Sequence, residues 1–368
     1  MSGQRIFFTS DRQELIHELA STVVGVRRLF VVHGHGSYVK CGAAEVVADL
    51  CTTRDIVLDE FDDFTENPKR DDVEKGIKAL ERAEPDLMMA VGGGSAMDMA
   101  KLIRHYSGRD VKLVALPTTA GTGAESTQFA VCYIDGVKHS ISDAAILPDL
   151  VILYPPFTYG NGSYLTSCTG FDALAQAIEA YWNIYATEES DEFALKAIGL
   201  IYGLLPKSNL TESDRADLLL GANFAGRAIN ITRTTVPHAL SYTLTSKYGY
   251  PHGHAVALTF PFFLKYCMEG GPSGFNGSDY ERYAEKMRRL AAMLEVADSP
   301  EIVMREYVSG LGLGFDPNRD FDDDVVARGV NLERAGNSPM AVTGDVLKAA
   351  VKSIRNINNY SINIESNG

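Results

Sequence analysis

Asp172, His238 and His252 are side chains of the kind that hold a divalent metal. Sixty-six residues separate the first two and 14 the last two, so spacing alone carries no signature. A lone histidine is more often a surface residue or a hydrogen-bonded core residue than a ligand. One carboxylate with two imidazoles nevertheless makes a borderline-hard N/O donor set, suited to zinc or ferrous iron. His252 stands in Pro-His-Gly, a turn ahead of an apolar helical run.

A second kind of chemistry is written in AVGGGSAMDMAK, Ala90 to Lys101. The segment follows an apolar strand and opens a helix. Gly92, Gly93 and Gly94 let a ligand approach the backbone closely, and a helix N-terminus offers amide N–H groups and a positive dipole end. Ser95 can cap that helix or donate to phosphate. The segment reads as a pyrophosphate cradle, although it is not the GxGxxG dinucleotide fingerprint. The alternative is a tight strand–helix turn with no ligand. LPTTAGTGAEST, Leu116 to Thr127, follows the next strand and is rich in hydroxyls: Thr118, Thr119 and Thr122 can bond phosphate, ribose or amide. Two phosphate-compatible loops at the ends of neighbouring strands fit a nucleotide site.

The elements that must position these groups fall into two sets. Strands are expected at Arg5–Thr9, Arg28–His33, Asp55–Asp59, Asp86–Val91, Lys112–Leu116 and Leu150–Leu153. Runs such as LFVV, MMAV and LVAL are continuously apolar, as in a parallel sheet covered on both faces. Helices are expected after Ser10, where Ser10 and Gln13 make a capping-box pattern, and after Ser37, Pro68 and Ser95. Beyond Pro155-Pro156 helical patterns take over: Gly170–Trp182, Ser190–Leu205, Ala216–Asn230, Tyr280–Leu294, Pro300–Gly310 and Thr343–Arg355. The Pro, Gly, Asn and Ser of Pro155–Gly162 suit a hinge. The expected class is α/β, with a Rossmann-like parallel-sheet domain over residues 1–158 and an all-helical domain over 159–368.

The 368 residues are 45% hydrophobic and 22% charged, which excludes a disordered or fibrous chain. The net charge of −14 disfavours nucleic acid and anionic membrane partners. No run is long and apolar enough to span a bilayer, and the first 20 residues lack the pattern of a secretory signal. Five scattered cysteines without CxxC spacing fit a reduced, cytoplasmic protein.

GGGSAMDMAK and PTTAGTGAE resemble the iron-containing, or group III, alcohol dehydrogenases of the dehydroquinate-synthase-like fold. FTENP (Phe64–Pro68), CTGFDALAQAIEAYW (Cys168–Trp182), YPHGHAVAL (Tyr250–Leu258) and NSPMAVT (Asn337–Thr343) extend the resemblance over nearly the whole chain. It implies NADPH or NADH held in a cleft, a divalent metal (Fe2+ or Zn2+) held by the helical domain, hydride transfer between alcohol and carbonyl, and a dimer or higher homo-oligomer. It implies cofactor contacts from Gly92, Gly93, Gly94, Ser95, Asp98, Thr118, Thr119, Thr122 and Thr127, and from Lys138 to the nicotinamide ribose. It implies four metal ligands, three of them matched by Asp172, His238 and His252. The fourth position, a histidine in the family, is Gln176 here. Asp172 and Gln176 share a helix face at i, i+4, but a neutral amide oxygen is a poorer ligand than imidazole. Either Gln176 ligates weakly or through water, or the site works without metal; three intact ligands favour a retained ion.

The family's further histidine, four residues after the third ligand, is Tyr242 here, and His254 is a second proton-relay candidate; for both the alternative is packing or surface exposure. Where NAD-preferring relatives carry Asp after the second strand this chain has His35 between Gly34 and Gly36, which tilts the expectation towards NADPH. GRAINITRTTVPHALSY, where relatives are glycine-rich and apolar, holds Arg227, Asn230, Arg233, Thr234 and Thr235. Arg233 facing the cleft would make an anion site beside the metal; the alternative is that both arginines point to solvent or pair with acidic neighbours. The combination looks most like the branch that reduces phosphonoacetaldehyde to 2-hydroxyethylphosphonate, a small anionic aldehyde.

Overall fold

The computed structural model describes residues 3–66, 68–134 and 137–358, without the side chains of Val137 and Lys138. Of these, the residues up to Asn161 together with Leu210–Gly226 form one compact unit. Gly162–Asn209 and the residues from Arg227 onward form a second. Residues 210–226, expected in the helical domain, thus fall in the unit that holds the sheet.

The first unit runs β1 (Arg5–Phe8), α1 (Arg12–Thr22), β2 (Arg28–His33), α2 (Ser37–Lys40), α3 (Ala43–Arg54), β3 (Val57–Phe61), α4 (Arg70–Ala83), β4 (Leu87–Gly92), α5 (Gly94–Ser107), β5 (Lys112–Pro117), β6 (Phe129–Ile134), β7 (Val137–Ser142) and β8 (Leu150–Leu153). Six strands make a parallel sheet in the order β1-β8-β5-β4-β2-β3. The central strands are apolar on both faces: every residue of β4 is buried. The six expected strands are these six, within two residues at each end. The β6–β7 antiparallel hairpin is additional. Helix α1 is capped by Asp11, whose carboxylate accepts from the amides of Gln13 and Glu14, and not by Ser10. A carboxylate at that position serves both as acceptor and as a negative charge against the helix dipole.

The second unit carries α6 (Ser163–Trp182), α7 (Glu188–Ile201), the last part of α8 (Glu212–Thr232), α9 (Val236–Tyr248), α10 (His252–Glu269), α11 (Tyr280–Met293), α12 (Pro300–Gly310), α13 (Asp323–Arg328), α14 (Leu332–Ala335) and α15 (Gly344–Ser353). Helix α10 packs on α6, α9, α11, α12 and α15. A helix touched on so many sides must be apolar nearly all round, and VALTFPFFL in α10 is. Phe260 stacks on Trp182 at 5.7 Å and meets Phe171 edge-on at 5.5 Å, locking α10 to α6. Tyr283, Met287 and Leu290 of α11 are buried, as the apolar stripe requires.

Candidate active site

The parallel sheet brings three loops to one edge. The amide of Gly34, just past β2, donates to the Val91 carbonyl, and the amide of Thr118, past β5, donates to the Gly92 carbonyl at 2.9 Å. The loops after β2, β4 and β5 therefore lie side by side. Gly92 has φ +156°, a conformation that side-chain-bearing residues rarely adopt. A Cβ at Gly93 would stand 3.3 Å from Thr119 Oγ1, and one at Gly94 3.1 Å from Thr122 Oγ1. Helix α5 starts at this turn without a side-chain cap, as an anion-binding N-terminus does. The hydroxyl of Thr118 is buried there and has no hydrogen-bond partner.

Behind the cradle stands a latch that the motif alone did not reveal. The fully buried Lys101 ammonium donates to the carbonyls of Ala124, Thr127 (2.7 Å) and Phe129 (2.8 Å), and to Thr127 Oγ1 (3.1 Å). Burial lowers its pKa to about 8, against the opposing pull of Asp98 and Glu125. Asp98 accepts from the amide of Val131 at 3.1 Å. Thr127, expected to touch the cofactor, thus takes part in bracing the loop that Thr119 and Thr122 belong to, and Asp98 holds β6 beyond it. The same loop is held from the other side. Asn223 of α8 donates to Glu125 Oε1 and to Ser126 Oγ, and Gly123 and Gly226 lie so close that a Cβ on either would overlap the other's backbone. The side chain of Lys138, in β7, lies outside the described residues.

His35 lies where expected, after β2, but not without a carboxylate. Its Nδ1 is 3.6 Å from Asp62 Oδ2, and Nε2 bonds the Phe64 carbonyl at 2.6 Å. Glu60 is 4.0 Å from the neighbouring His33. The parallel register of β2 on β3, Val32 opposite Phe61, carries both acids to this edge. The loop after β2 carries no carboxylate of its own, but Asp62 and Glu60 bring negative charge beside it, which weakens the case for NADPH.

In the second unit three helices converge. Asp172 comes from the middle of α6, His238 from the first turn of α9 and His252 from the first residue of α10. One ligand atom from each lies within 4.8 Å of the others. His238 Nε2 is 3.1 Å, and His252 Nε2 3.6 Å, from Asp172 Oδ1. Gly253 makes the approach possible: a Cβ there would overlap the Cys168 carbonyl of α6 and come within 3.1 Å of Asp172 Cβ. Gln176 donates from Nε2 to Asp172 Oδ2 at 3.2 Å. That leaves its Oε1 buried with no hydrogen-bond partner, at a cost of about 1–3 kcal/mol for an unanswered acceptor.

Glu179, absent from the sequence expectations, orients the cluster. Its wholly buried carboxylate accepts from His238 Nδ1, from the Thr235 amide (2.5 Å) and from Thr235 Oγ1 (2.8 Å). With Nδ1–H turned to Glu179, Nε2 is the nitrogen presented towards Asp172. Burial alone would lower the His238 pKa, but the carboxylates of Glu179 and Asp172 outweigh it and raise it to about 9. The pocket is thus built to hold positive charge.

Tyr242 ends one side of this cluster, its ring stacked on His252 at 6.2 Å. Burial raises its pKa. His254 does not share the site's chemistry: Nδ1 pairs with the Tyr164 hydroxyl at 2.9 Å and Nε2 with the Gly314 carbonyl at 2.8 Å. Both nitrogens are committed, and burial lowers its pKa, so it is a neutral brace between α6, α10 and the Gly314 loop. Arg233 is also placed elsewhere. It ends α8 with φ +65°, and its guanidinium pairs with exposed Glu333 at 2.9 Å. Arg227 lies over the Phe193 ring at 3.9 Å.

Comparison with known proteins agrees with this geometry. Residues 3–155 match the family model for iron-containing alcohol dehydrogenase, and residues 166–311 match the C-terminal model of the Fe-containing alcohol dehydrogenase family. The chain belongs to this family. It is 28% identical to alcohol dehydrogenase 4 of Schizosaccharomyces pombe, over 89% of this chain and 82% of that one. It is 29% identical to aldehyde-alcohol dehydrogenase 2 of Entamoeba histolytica over 71% of this chain, and spans 33% of that longer protein. The crystal structure of an iron-containing alcohol dehydrogenase from Thermotoga maritima superposes with a TM-score of 0.82 at 25% identity, over 97% of this chain and 99% of that one. No helix among the described residues is long and apolar enough to cross a membrane.

Proposed function

We propose that this chain is a nicotinamide-dependent, metal-assisted reductase of a small anionic aldehyde, with phosphonoacetaldehyde as the substrate that best fits. The observation that carries the reading is the Asp172–His238–His252 cluster with the partnerless Gln176 oxygen beside it. A divalent ion would satisfy that oxygen, and two imidazoles, a carboxylate and an amide oxygen suit Fe2+ or Zn2+. The open glycine turn, its uncapped helix and the partnerless Thr118 hydroxyl suit a dinucleotide in the same way.

When bound, the metal supplies a Lewis acid for a carbonyl oxygen and the nicotinamide supplies a hydride. The chain's own side chains do the rest. Gly92, Gly93 and Gly94 hold the pyrophosphate, with Ser95, Thr119 and Thr122 around it. Lys101 keeps the threonine loop in place. Glu179 fixes the His238 tautomer. Tyr242, a phenol and so protonated at neutral pH, is the group placed to donate to the oxygen of the forming alcohol. The test is metal analysis of protein purified without chelator, paired with NADH and NADPH oxidation against an aldehyde panel. About one metal per chain and turnover of phosphonoacetaldehyde are expected. Full activity after removal of all divalent metal would overturn the reading.

A further inference from the structure

Both histidines of the cluster turn Nε2 towards Asp172, and a ring nitrogen can serve as a ligand there only when the proton sits on Nδ1. Glu179 settles this for His238. The His252 side chain is 32% exposed, against 4% for His238, so water competes for its nitrogens and packing alone leaves the tautomer open. The structure offers it a hydroxyl. Ser241 lies on α9, three residues after His238, and is wholly buried. Its Oγ donates to the His238 carbonyl at 2.8 Å, which uses its one proton. The same oxygen lies 3.4 Å from His252 Nδ1. With its proton committed, Oγ can only accept there. Nδ1 is therefore the protonated nitrogen of His252, and Nε2 carries the lone pair that faces Asp172 Oδ1 at 3.6 Å. Tyr242, the next residue on α9, flanks the face of the same ring.

We propose that Ser241 is a positioning residue for His252: its hydroxyl ties α9 to the second imidazole and fixes the Nδ1–H tautomer that leaves Nε2 for a metal ion. The inference rests on the metal-assisted reading above. The two imidazoles are then held in different ways, His238 by a carboxylate and His252 by a neutral acceptor. Charge explains the division. Asp172 and Glu179 bring two negative charges, which match a divalent ion, and a third carboxylate would leave the cluster net negative and blunt its Lewis acidity. A hydroxyl oxygen at long range contributes less, but the contact strengthens once Nε2 bears a cation, because Nδ1–H is then the stronger donor.

The experiment compares the parent with Ser241→Ala and Ser241→Thr by two readouts. Alanine is the best helix former and removes a single oxygen, so Ser241→Ala keeps the fold. In metal-free protein at alkaline pH, where imidazole is neutral, 15N spectra report which ring nitrogen carries the proton, with the His252 signals assigned by their absence from His252→Ala. The parent is expected to show Nδ1 protonated and Ser241→Ala a mixture of both tautomers. Ser241→Thr, which keeps a hydroxyl able to bond the same carbonyl, should show the parent pattern. Chelator competition for Zn2+ is the second readout. Ser241→Ala should bind the ion about two- to tenfold more weakly, as the loss of one neutral hydrogen bond implies, and Ser241→Thr should recover most of the difference. A parent with the proton on His252 Nε2, or a tautomer that stays the same in Ser241→Ala, would overturn the assignment. So would weaker Zn2+ binding with no change of tautomer, because the hydroxyl would then act through the fold alone. A parent that binds no Zn2+ would sink the metal-assisted reading itself, and the spectra of the metal-free protein would still decide for or against Ser241.

Discussion

The cradle of the first unit is made of backbone, and the ligand cluster of the second is made of side chains. The glycine turn works because atoms are missing: Gly93 and Gly94 face Thr119 and Thr122 across gaps that a larger residue would fill. Its specification lies in two short runs, Ala90–Lys101 and Leu116–Thr127. The metal cluster is drawn from α6, α9 and α10, and exists only while those helices pack in one register. A local site fails locally, whereas a site assembled by packing fails together with the packing.

The strongest test of that contrast is Gly253→Val. Its Cβ would overlap the backbone of α6, which no rotamer relieves. We expect loss of bound metal and of activity, with a fall in Tm; unchanged metal content, read by inductively coupled plasma analysis, would show that α10 can shift without cost to the cluster. Next comes Glu179→Gln, which weakens the hold on His238 Nδ1 while keeping the shape. Metal affinity, measured by chelator competition, should fall roughly 10–100-fold. An unchanged affinity would mean that Glu179 serves the fold alone. On the cradle side, Gly93→Val should raise the dinucleotide Kd at least about tenfold while Tm moves by only a few degrees, because the residue has extended backbone geometry and the added side chain meets only the side chain of Thr119. Parent-like cofactor affinity in a folded Gly93→Val would remove the phosphate assignment. The smallest effect is expected at Asp62→Asn, which removes a half-exposed negative charge beside His35. The ratio of kcat/KM for NADPH over NADH should rise a few-fold, on the order of 1 kcal/mol of screened repulsion; a ratio that stays the same would place the adenosine ribose away from this edge.

How much of this was legible in the sequence follows the same divide. The six parallel strands and the glycine turn are written in contiguous runs, and they stand where the runs placed them. The β6–β7 hairpin was missed although FAVCYI is apolar throughout, because VKHSIS is polar at four of its six positions and only Ala130 and Cys132 of β6 are buried. Helix α10 follows Pro-His-Gly as the apolar run there led one to expect, whereas α9, with Pro237 in its first turn, was not among the expected helices. In the cluster, Asp172, His238 and His252 were picked out by family resemblance, not by spacing. Glu179 was passed over because a glutamate in a helix ordinarily reads as surface. Its burial is decided by Thr235 and His238, 56 and 59 residues further on. Asp62 escaped for a related reason. It reaches His35 across two paired strands, through a register that the chain order does not display. His254 and Arg233 carried chemical promise by residue type, and packing directed both to other partners.

The central claim is that Asp172, His238, His252 and the Gln176 oxygen hold one divalent ion. It is tested most directly by stripping the protein with chelator and titrating Zn2+, Fe2+ or the spectroscopic probe Co2+ back into the parent, Gln176→Ala, Gln176→His and His252→Ala. The account predicts one tight site per chain in the parent, weaker binding in Gln176→Ala, tighter binding in Gln176→His and none in His252→Ala. It also predicts a visible Co2+ spectrum that differs between the parent and Gln176→His, as replacing an oxygen ligand by nitrogen requires. No stoichiometric binding in the parent, or binding that survives unchanged in His252→Ala, would contradict it.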